Sequence, residues 1–242
     1  MRRQRLFLAD APANGGWTLP EKRAHYLRRV LRLKPGYQVT VFNGRGQQWQ
    51  AALADATGQR LELLEDLGLT PEQGLGTLLI QCVGRGERMD YALQKATELG
   101  VREVMPVSSE RTEVRLSGDR AQRRLEHWQA VVVQACEQCG RSWVPQVQAL
   151  SALDEALSQI DASYDVRLAL TPDGDPLSRG QSTPNGLAVL IGPEGGLSDA
   201  ELRAAQRQGF AATALGPRVL RTETAGPAML AAAQALWGDF AA

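Results

Sequence analysis

The chain has 242 residues, 43% hydrophobic and 22% charged, and its 27 basic and 27 acidic side chains leave no formal net charge. Those proportions exclude a disordered or fibrous chain, and no apolar run approaches the roughly 20 residues that span a bilayer, so no membrane association is expected. The opening MRRQRLFLAD has too short an apolar stretch for a signal peptide, and three cysteines argue against a disulfide framework and for a reducing cytoplasm.

Residues 1–70 read as a small, mostly β unit with one helix. RLFL is a short strand. LPEKRAHYLRRVLRLKPG carries Tyr26, Leu27, Val30, Leu31 and Leu33 near helical spacing, with Pro20 before it and Pro35-Gly36 after it. YQVTVFNGRGQQWQAALADATGQRLELLED alternates apolar and polar residues in three bursts, with hairpin turns expected at Asn43-Gly44 and Thr57-Gly58. Short strands at this spacing point to a small barrel. The segment 1–35 holds nine basic residues against two acidic ones, which fits either a polyanion partner or a solvated basic helix face.

GLTPEQGLG reads as a linker, centred on 71–76. From Thr77 strands and helices alternate through 242. TLLIQCV, VREVMPV, YDVRLAL, GLAVLI and FAATAL are strands; RMDYALQKATELG, GDRAQRRLEHWQAVVVQACEQCGR, SDAELRAAQRQG and TAGPAMLAAAQALWGDF are helices. Such alternation implies an α/β domain with a parallel sheet covered on both faces, whose ligands bind at the loops leaving the strands' C-terminal ends.

Three late loops, LTPDGDP, GPEGGLSDAE and LGPRVLRTETAGP, should gather there. The second is a glycine-rich turn between a strand and a helix whose start is marked by a Ser198–Glu201 capping box. Its glycines have neither dinucleotide-binding nor Walker spacing, and Glu194 within it disfavours a phosphate by like-charge repulsion. The third loop repeats the theme, with Glu223 beside Arg218 and Arg221, and Thr222 or Thr224 as candidate helix caps. Two glycine-bearing loops, each with a glutamate and neither with a lysine, are compatible with S-adenosylmethionine, which has a cation but no phosphate. A strand-to-helix turn whose glycines only solve geometry is the plainer alternative. Cys136-x-x-Cys139 lacks a second pair of ligands, so no metal is expected, and His25 and His127 stand in no hydrolase motif.

IGPEGGLSDAE and LGPRVLRTETA resemble the paired signature loops of the SPOUT superfamily of RNA methyltransferases, and more narrowly the ribosomal RNA small subunit methyltransferase E family. RMDYALQKATELGV, SSERTEV, ACEQCGRSWVPQV and YLRRVLRLKPGYQVTVFNGRG are similar to further stretches of that family, and Cys139 is a mild departure from it. The resemblance implies a PUA-like RNA-binding β-barrel at 1–70 and a SPOUT methyltransferase domain at 77–242 with a C-terminal trefoil knot, which physical rules alone would argue against. It implies a homodimer that methylates N3 of one uridine of 16S ribosomal RNA near the decoding site, in the assembled small subunit. A SPOUT enzyme acting on a ribose 2′-OH or another base, and a non-catalytic ribosome-assembly factor, are the alternatives.

By the same resemblance the cofactor contacts are Leu170, Thr171, Ile191, Gly192, Glu194, Gly196, Leu215, Leu220, Arg221 and Ala225. The acid–base candidates are Arg221, Glu223, Glu98, Glu137 and Arg141, with Arg221 orienting the base and Glu223 the candidate proton acceptor. Arg2, Arg3, Arg5, Arg28, Arg29 and Arg32 are expected at RNA phosphates, with His25 on the same helix.

Overall fold

The apolar–polar alternation in the first bursts of sequence produces a sheet, whose central strands Gln38–Phe42 and Gln47–Leu53 are buried on both faces along 39–42 and 49–51. In the computed structural model, which describes residues 4–72, 74–178 and 182–241, the chain divides into two compact units. The first comprises 1–72 and 136–144, the second 73–135 and 145–242.

In the first unit, β1 (Gln4–Phe7), β2 (Gly16–Thr18), β3 (Gln38–Phe42), β4 (Gln47–Leu53) and β5 (Arg60–Leu69) form a sheet of order β1-β3-β4-β5-β2. Only the β1–β3 pair is parallel. Leu6, Val39, Val41, Trp49, Leu53 and Leu61 make its core, and Trp17 meets Trp49 edge-on at 5.6 Å. Both expected turns are present. Asn43 Oδ1 accepts from the Arg45 and Gln47 amides, and Asp55 Oδ1 accepts from Gly58 N at 2.8 Å.

The helix expected from 20 to 34 is shorter and irregular. α1 (Glu21–His25) passes into one π-helical turn, Tyr26–Val30, and Arg32 takes a positive φ of 54°. At regular spacing Leu27, Leu31 and Leu33 could not all face one surface. The widened turn lets the fully buried Leu27 and the partly buried Leu31 and Leu33 pack on the same core.

Among the described residues the second unit is built on a seven-stranded parallel sheet, six of whose strands follow the order β12-β10-β11-β6-β7-β8. Its strands are β6 (Gly76–Cys82), β7 (Glu103–Ser108), β8 (Gln146–Val147), β10 (Val166–Pro176), β11 (Gly186–Ile191) and β12 (Ala211–Ala214), while β9 (Ser151–Ala152) also pairs with β7. Every residue of β6 and β11 is buried, as befits central strands covered on both faces. The helices are α2 (Arg88–Glu98), α3 (Gly118–Cys139), α4 (Leu153–Ser158), α5 (Asp199–Arg207) and α6 (Thr222–Trp237). Leu78, Ile80, Val107, Leu190 and Phe210 pack with α4 and α5 on one face; α2 and α6 pack together.

Three features depart from the sequence expectation. α4 was not expected, because six residues are too few for a clear period. LTPDGDP is not an open loop: β10 runs on to Pro176, and Thr213 of β12 is register partner to both Leu170 and Asp175. Gly174 permits this, since a Cβ there would lie 2.6 Å from the Thr213 carbonyl carbon. Lastly, 136–144, which continues a helix of the second unit in sequence, belongs to the first.

Candidate active site

The parallel sheet fixes where its loops meet. Loops leaving β6, β11 and β12 emerge at the strands' C-terminal ends, beside the point where β10 bulges. Leu170, Thr171, Leu215, Leu220 and Ala225 line one pocket there, together with Arg218 and Val219. Ile191, Gly192, Glu194 and Gly196 lie on the β11 side. The link between the sides is α6: a Cβ on Gly226 would sit 3.3 Å from Gln81 Oε1 and 3.6 Å from Ile191 Cγ1, so the helix approaches both strands closely.

The glycine-rich turn closes with a hydrogen bond from Gly196 N to Pro193 O at 2.9 Å. Its glycines answer different demands. Gly196 has φ +70° with open space around its Cα, whereas a Cβ on Gly192 would meet Leu197 N at 3.1 Å. The expected capping box is complete: Ser198 Oγ accepts from Glu201 N at 3.3 Å and Glu201 Oε2 from Ser198 N at 2.8 Å.

Neither expected cap of the last helix acts as one. Thr222 is the first residue of α6 and Arg221 occupies the cap position without a side-chain bond. The Thr222 hydroxyl instead donates to Gly192 O at 2.8 Å and accepts from Gln81 Nε2 at 3.0 Å. One buried hydroxyl thus joins β6, the β11 loop and α6.

Glu194 does not stand as a bare charge. Its Oε1 accepts from Arg85 N at 3.3 Å and from the Arg88 guanidinium. Burial pushes its carboxyl up, but its own backbone amide, the Arg85 amide and Arg88 outweigh that and hold it below its ordinary value. Like-charge repulsion by Glu194 therefore excludes phosphate less strongly than the sequence implies. Arg88 Nε also lies 3.9 Å from Glu223 Oε1, and Arg221 Nη1 approaches the same oxygen at 4.0 Å. Two carboxylates share one half-buried guanidinium. Arg221 is 80% exposed, and Glu223 Oε2 is buried without a hydrogen-bond partner.

Of the five acid–base candidates, the structure brings together Arg221 and Glu223. Glu98 lies at the far end of α2, about 15 Å along the helix from Arg88, and pairs with Lys95 at 2.9 Å. Glu137 and Arg141 belong to the first unit and have partners there. Glu137 accepts from Phe7 N at 2.9 Å and pairs with Arg23, and Arg141 pairs with Glu72 at 3.4 Å.

Among the expected RNA contacts, Arg2 and Arg3 lie outside the described residues. Arg5 is turned to structural use: it donates to Gln48 Oε1, Arg141 O and Ser142 Oγ and lies 4.8 Å over the Phe42 ring. His25, Arg28, Arg29 and Arg32 are exposed and make no ion pair among the described residues. Burial pushes the Cys136 thiol up to about 12, and its Sγ donates to Trp143 O at 3.6 Å. No group of three or more metal-ligating side chains occurs among the described residues, and no helix there is long and apolar enough to cross a membrane.

Sequence reasoning missed Arg88, Gln81 and the bridging role of Thr222. A signal for Arg88 was present, because a cation in the first turn of a helix opposes the macrodipole and needs a local partner.

A family model described as an RNA methyltransferase domain matches residues 71–234, and one described as an RNA methyltransferase PUA domain matches 19–66. The chain is similar to the ribosomal RNA small subunit methyltransferase E of Synechocystis, at 33% identity over 224 residues, covering 90% of this chain and 73% of that protein. Among solved structures it is similar to the ribosomal RNA small subunit methyltransferase E of Neisseria gonorrhoeae bound to S-adenosyl methionine, with a TM-score of 0.89, 38% identity, and coverage of 99% of this chain and 100% of that one. A methyltransferase of Legionella pneumophila in complex with the same cofactor has a TM-score of 0.91, 31% identity, and coverage of 99% and 100%. The α/β class and the PUA-like first domain are those expected from the sequence.

Proposed function

The chain belongs to the ribosomal RNA small subunit methyltransferase E family, and we propose that it methylates N3 of one uridine of 16S ribosomal RNA near the decoding site. It is an S-adenosylmethionine-dependent ribosomal RNA methyltransferase; the uridine, the N3 position, the assembled small subunit as substrate, the knotted chain path and a homodimer are the proposal. The observation that carries it is the pocket between β10, the β12 loop and α6, with the paired carboxylates beside it.

The residues present fit the cofactor. Leu170, Leu215 and Leu220 offer an apolar slot suited to an adenine ring, and the backbone of Leu170, Thr171, Leu215 and Leu220 is assigned to read its edge. In this reading Ala225, which lines the same pocket, completes the slot, and Ile191, Gly192, Glu194, Gly196 and Arg221 are assigned the rest of the cofactor. The half-buried charges nearest the pocket are two carboxylates to one guanidinium, which favours the cofactor's cationic end. When bound, the cofactor supplies an electrophilic methyl group on a sulfonium sulfur.

Uracil N3 must then be held in line with that methyl carbon. The bond from carbon to sulfur breaks as the bond to N3 forms, and the N3 proton leaves to water. Placement supplies much of the rate. Arg221, anchored only at 4.0 Å and otherwise exposed, is free to donate to a uracil carbonyl oxygen as negative charge gathers there. Glu223 acts as the anchor for Arg221 rather than as the base, since one of its oxygens is buried and the other faces two guanidinium groups. Phosphate contact is assigned to Arg28, Arg29, Arg32 and His25 of the first unit, whose exposure supports it.

Incubation with labelled cofactor and undermodified small subunits, followed by nucleoside analysis, tests the proposal. N3-methyluridine is expected. A 2′-O-methyl or other base product would overturn the substrate, and RNA binding without cofactor binding would make the protein an assembly factor.

A further inference from the structure

We infer that Arg88 is a positioning residue that clamps Glu194 to Glu223 and thereby sets the gap between the β11 and β12 loops; this rests on the proposed cofactor pocket. Arg88 is the first residue of α2, immediately after the β6 loop. Its guanidinium binds Glu194 on one side and stands 3.9 Å from Glu223 on the other. Three of the loops around the site therefore converge on one side chain.

The approach is built into the backbone. A Cβ on Gly84 would lie 3.3 Å from Arg88 Cβ, 3.6 Å from Glu194 Oε1 and 3.7 Å from Thr222 Cγ2. Glycine at this position lets the base of the arginine, its carboxylate partner and the start of α6 come together. The position is otherwise unfavourable for a cation, because α2 presents its positive dipole end there. Two carboxylates outweigh that cost. The neighbouring Arg85 does not duplicate the clamp: its guanidinium pairs with Glu113, and only its amide reaches Glu194.

The β11 and β12 loops are thus pinned twice. The Gln81–Thr222–Gly192 chain is a neutral, buried pin at the base. Arg88 is a charged, half-exposed pin nearer the mouth. Without it, Glu194 and Glu223 face each other as like charges and the loops separate. Arg88 touches neither methyl donor nor uracil in this scheme, so its effect is felt first in cofactor affinity and only through that in the chemistry.

The test is a double-mutant cycle on the full-length protein, read by calorimetry with S-adenosylmethionine, by KM and kcat on undermodified small subunits, and by thermal melting. Arg88→Met should weaken cofactor binding about tenfold or more, raising KM further than it lowers kcat, as expected for a displaced wall. Arg88→Lys, which keeps the charge, should recover most of the affinity. Glu194→Gln should cost less in the Arg88→Met background than in the unmutated protein, because the two side chains act as one unit. If Arg88→Met does not fold, Arg88→Gln takes its place in the cycle. Unchanged affinity and turnover in the uncharged variant, or equal costs of Glu194→Gln in both backgrounds, overturn the clamp. Failure of the unmutated protein to bind the cofactor would instead overturn the proposed function.

Discussion

Thr222→Val isolates the neutral pin. Valine has nearly the same shape as threonine, so the packing of α6 survives while the hydroxyl is lost. The hydroxyl makes two hydrogen bonds in a site that is 8% exposed, one to Gly192 O at 2.8 Å and one from Gln81 Nε2 at 3.0 Å. At about 1 kcal/mol net for each bond, and about 1 kcal/mol more for a buried carbonyl left short of a donor, the loss comes to about 2–3 kcal/mol. Gln81 Nε2 keeps a bond to Cys82 O at 3.2 Å, which holds the figure toward the lower end. For a unit of this size about 2–4 °C of melting temperature goes with each kcal/mol, so the second unit should melt about 4–12 °C lower. Differential scanning calorimetry reads that shift, and titration with S-adenosylmethionine should show weaker binding, since Gly192 loses its fixed carbonyl. A valine variant that melts and binds like the unmutated protein would refute the idea that this hydroxyl ties the β11 loop to α6.

Three further outcomes follow from the same geometry. Glu194 is held below its ordinary value of 4.5, so what its ionised form contributes is fully present above about pH 4.5 and lost as pH falls through the lower folded value; the difference in melting temperature between the unmutated protein and Glu194→Gln should be constant at higher pH and close below 4.5, and a gap that closes near neutrality would contradict it. Burial pushes the Cys82 and Cys136 thiols up to about 12, so a thiol reagent at pH 8 should label Cys139 in the native protein and all three cysteines after unfolding; mass spectrometry finding rapid native labelling at Cys82 or Cys136 would count against their burial. Arg28→Glu with Arg29→Glu should weaken small-subunit binding and lower the slope of log affinity against log salt by about one per lost phosphate contact, and an unchanged slope would remove these residues from the RNA surface.

Patterns that repeat along the chain were legible in the sequence. Strand alternation in the second unit, the barrel-like bursts of the first, the Ser198–Glu201 box and the two hairpin turns all follow from local chemistry that a sequence displays directly. What escaped it depends on partners far away in the chain. Arg5 looks like one more surface cation until Gln48, Arg141 and Ser142 come round it, from as far as 137 residues away. Glu98, Glu137 and Arg141 are motif residues whose charges are answered elsewhere. The widening of the first helix at Tyr26–Val30 arises because three leucines must reach one core, a demand set by the barrel and not by the helix. The bulge in β10 is similar: Gly174 is ordinary in sequence and matters only because Thr213 lies against it.

The carboxylates of the two loops show how far composition can carry an inference and where geometry must replace it. Charge alone says that a glycine turn holding Glu194 should reject a phosphate, yet the structure pairs that charge with Arg88. What distinguishes this site from a phosphate cradle is therefore not a free negative charge but where the positive one is held. In a phosphate site the cations face the ligand. Here Arg88 is turned between Glu194 and Glu223, and Arg85 toward Glu113, so the guanidinium groups that approach the pocket's carboxylates are largely committed to them. Arg221, at 80% exposure, and the exposed Arg218 at the pocket are the cations left to meet an oxygen on the substrate. A ligand that brings its own cation meets no opposing charge on this wall, and one that brings a phosphate would have to pull Arg88 away from two partners at once. Selection for a phosphate-free cofactor then resides in an ion-pair arrangement as much as in a glycine spacing, and that arrangement becomes visible only when the β6 loop is seen against the loops after β11 and β12.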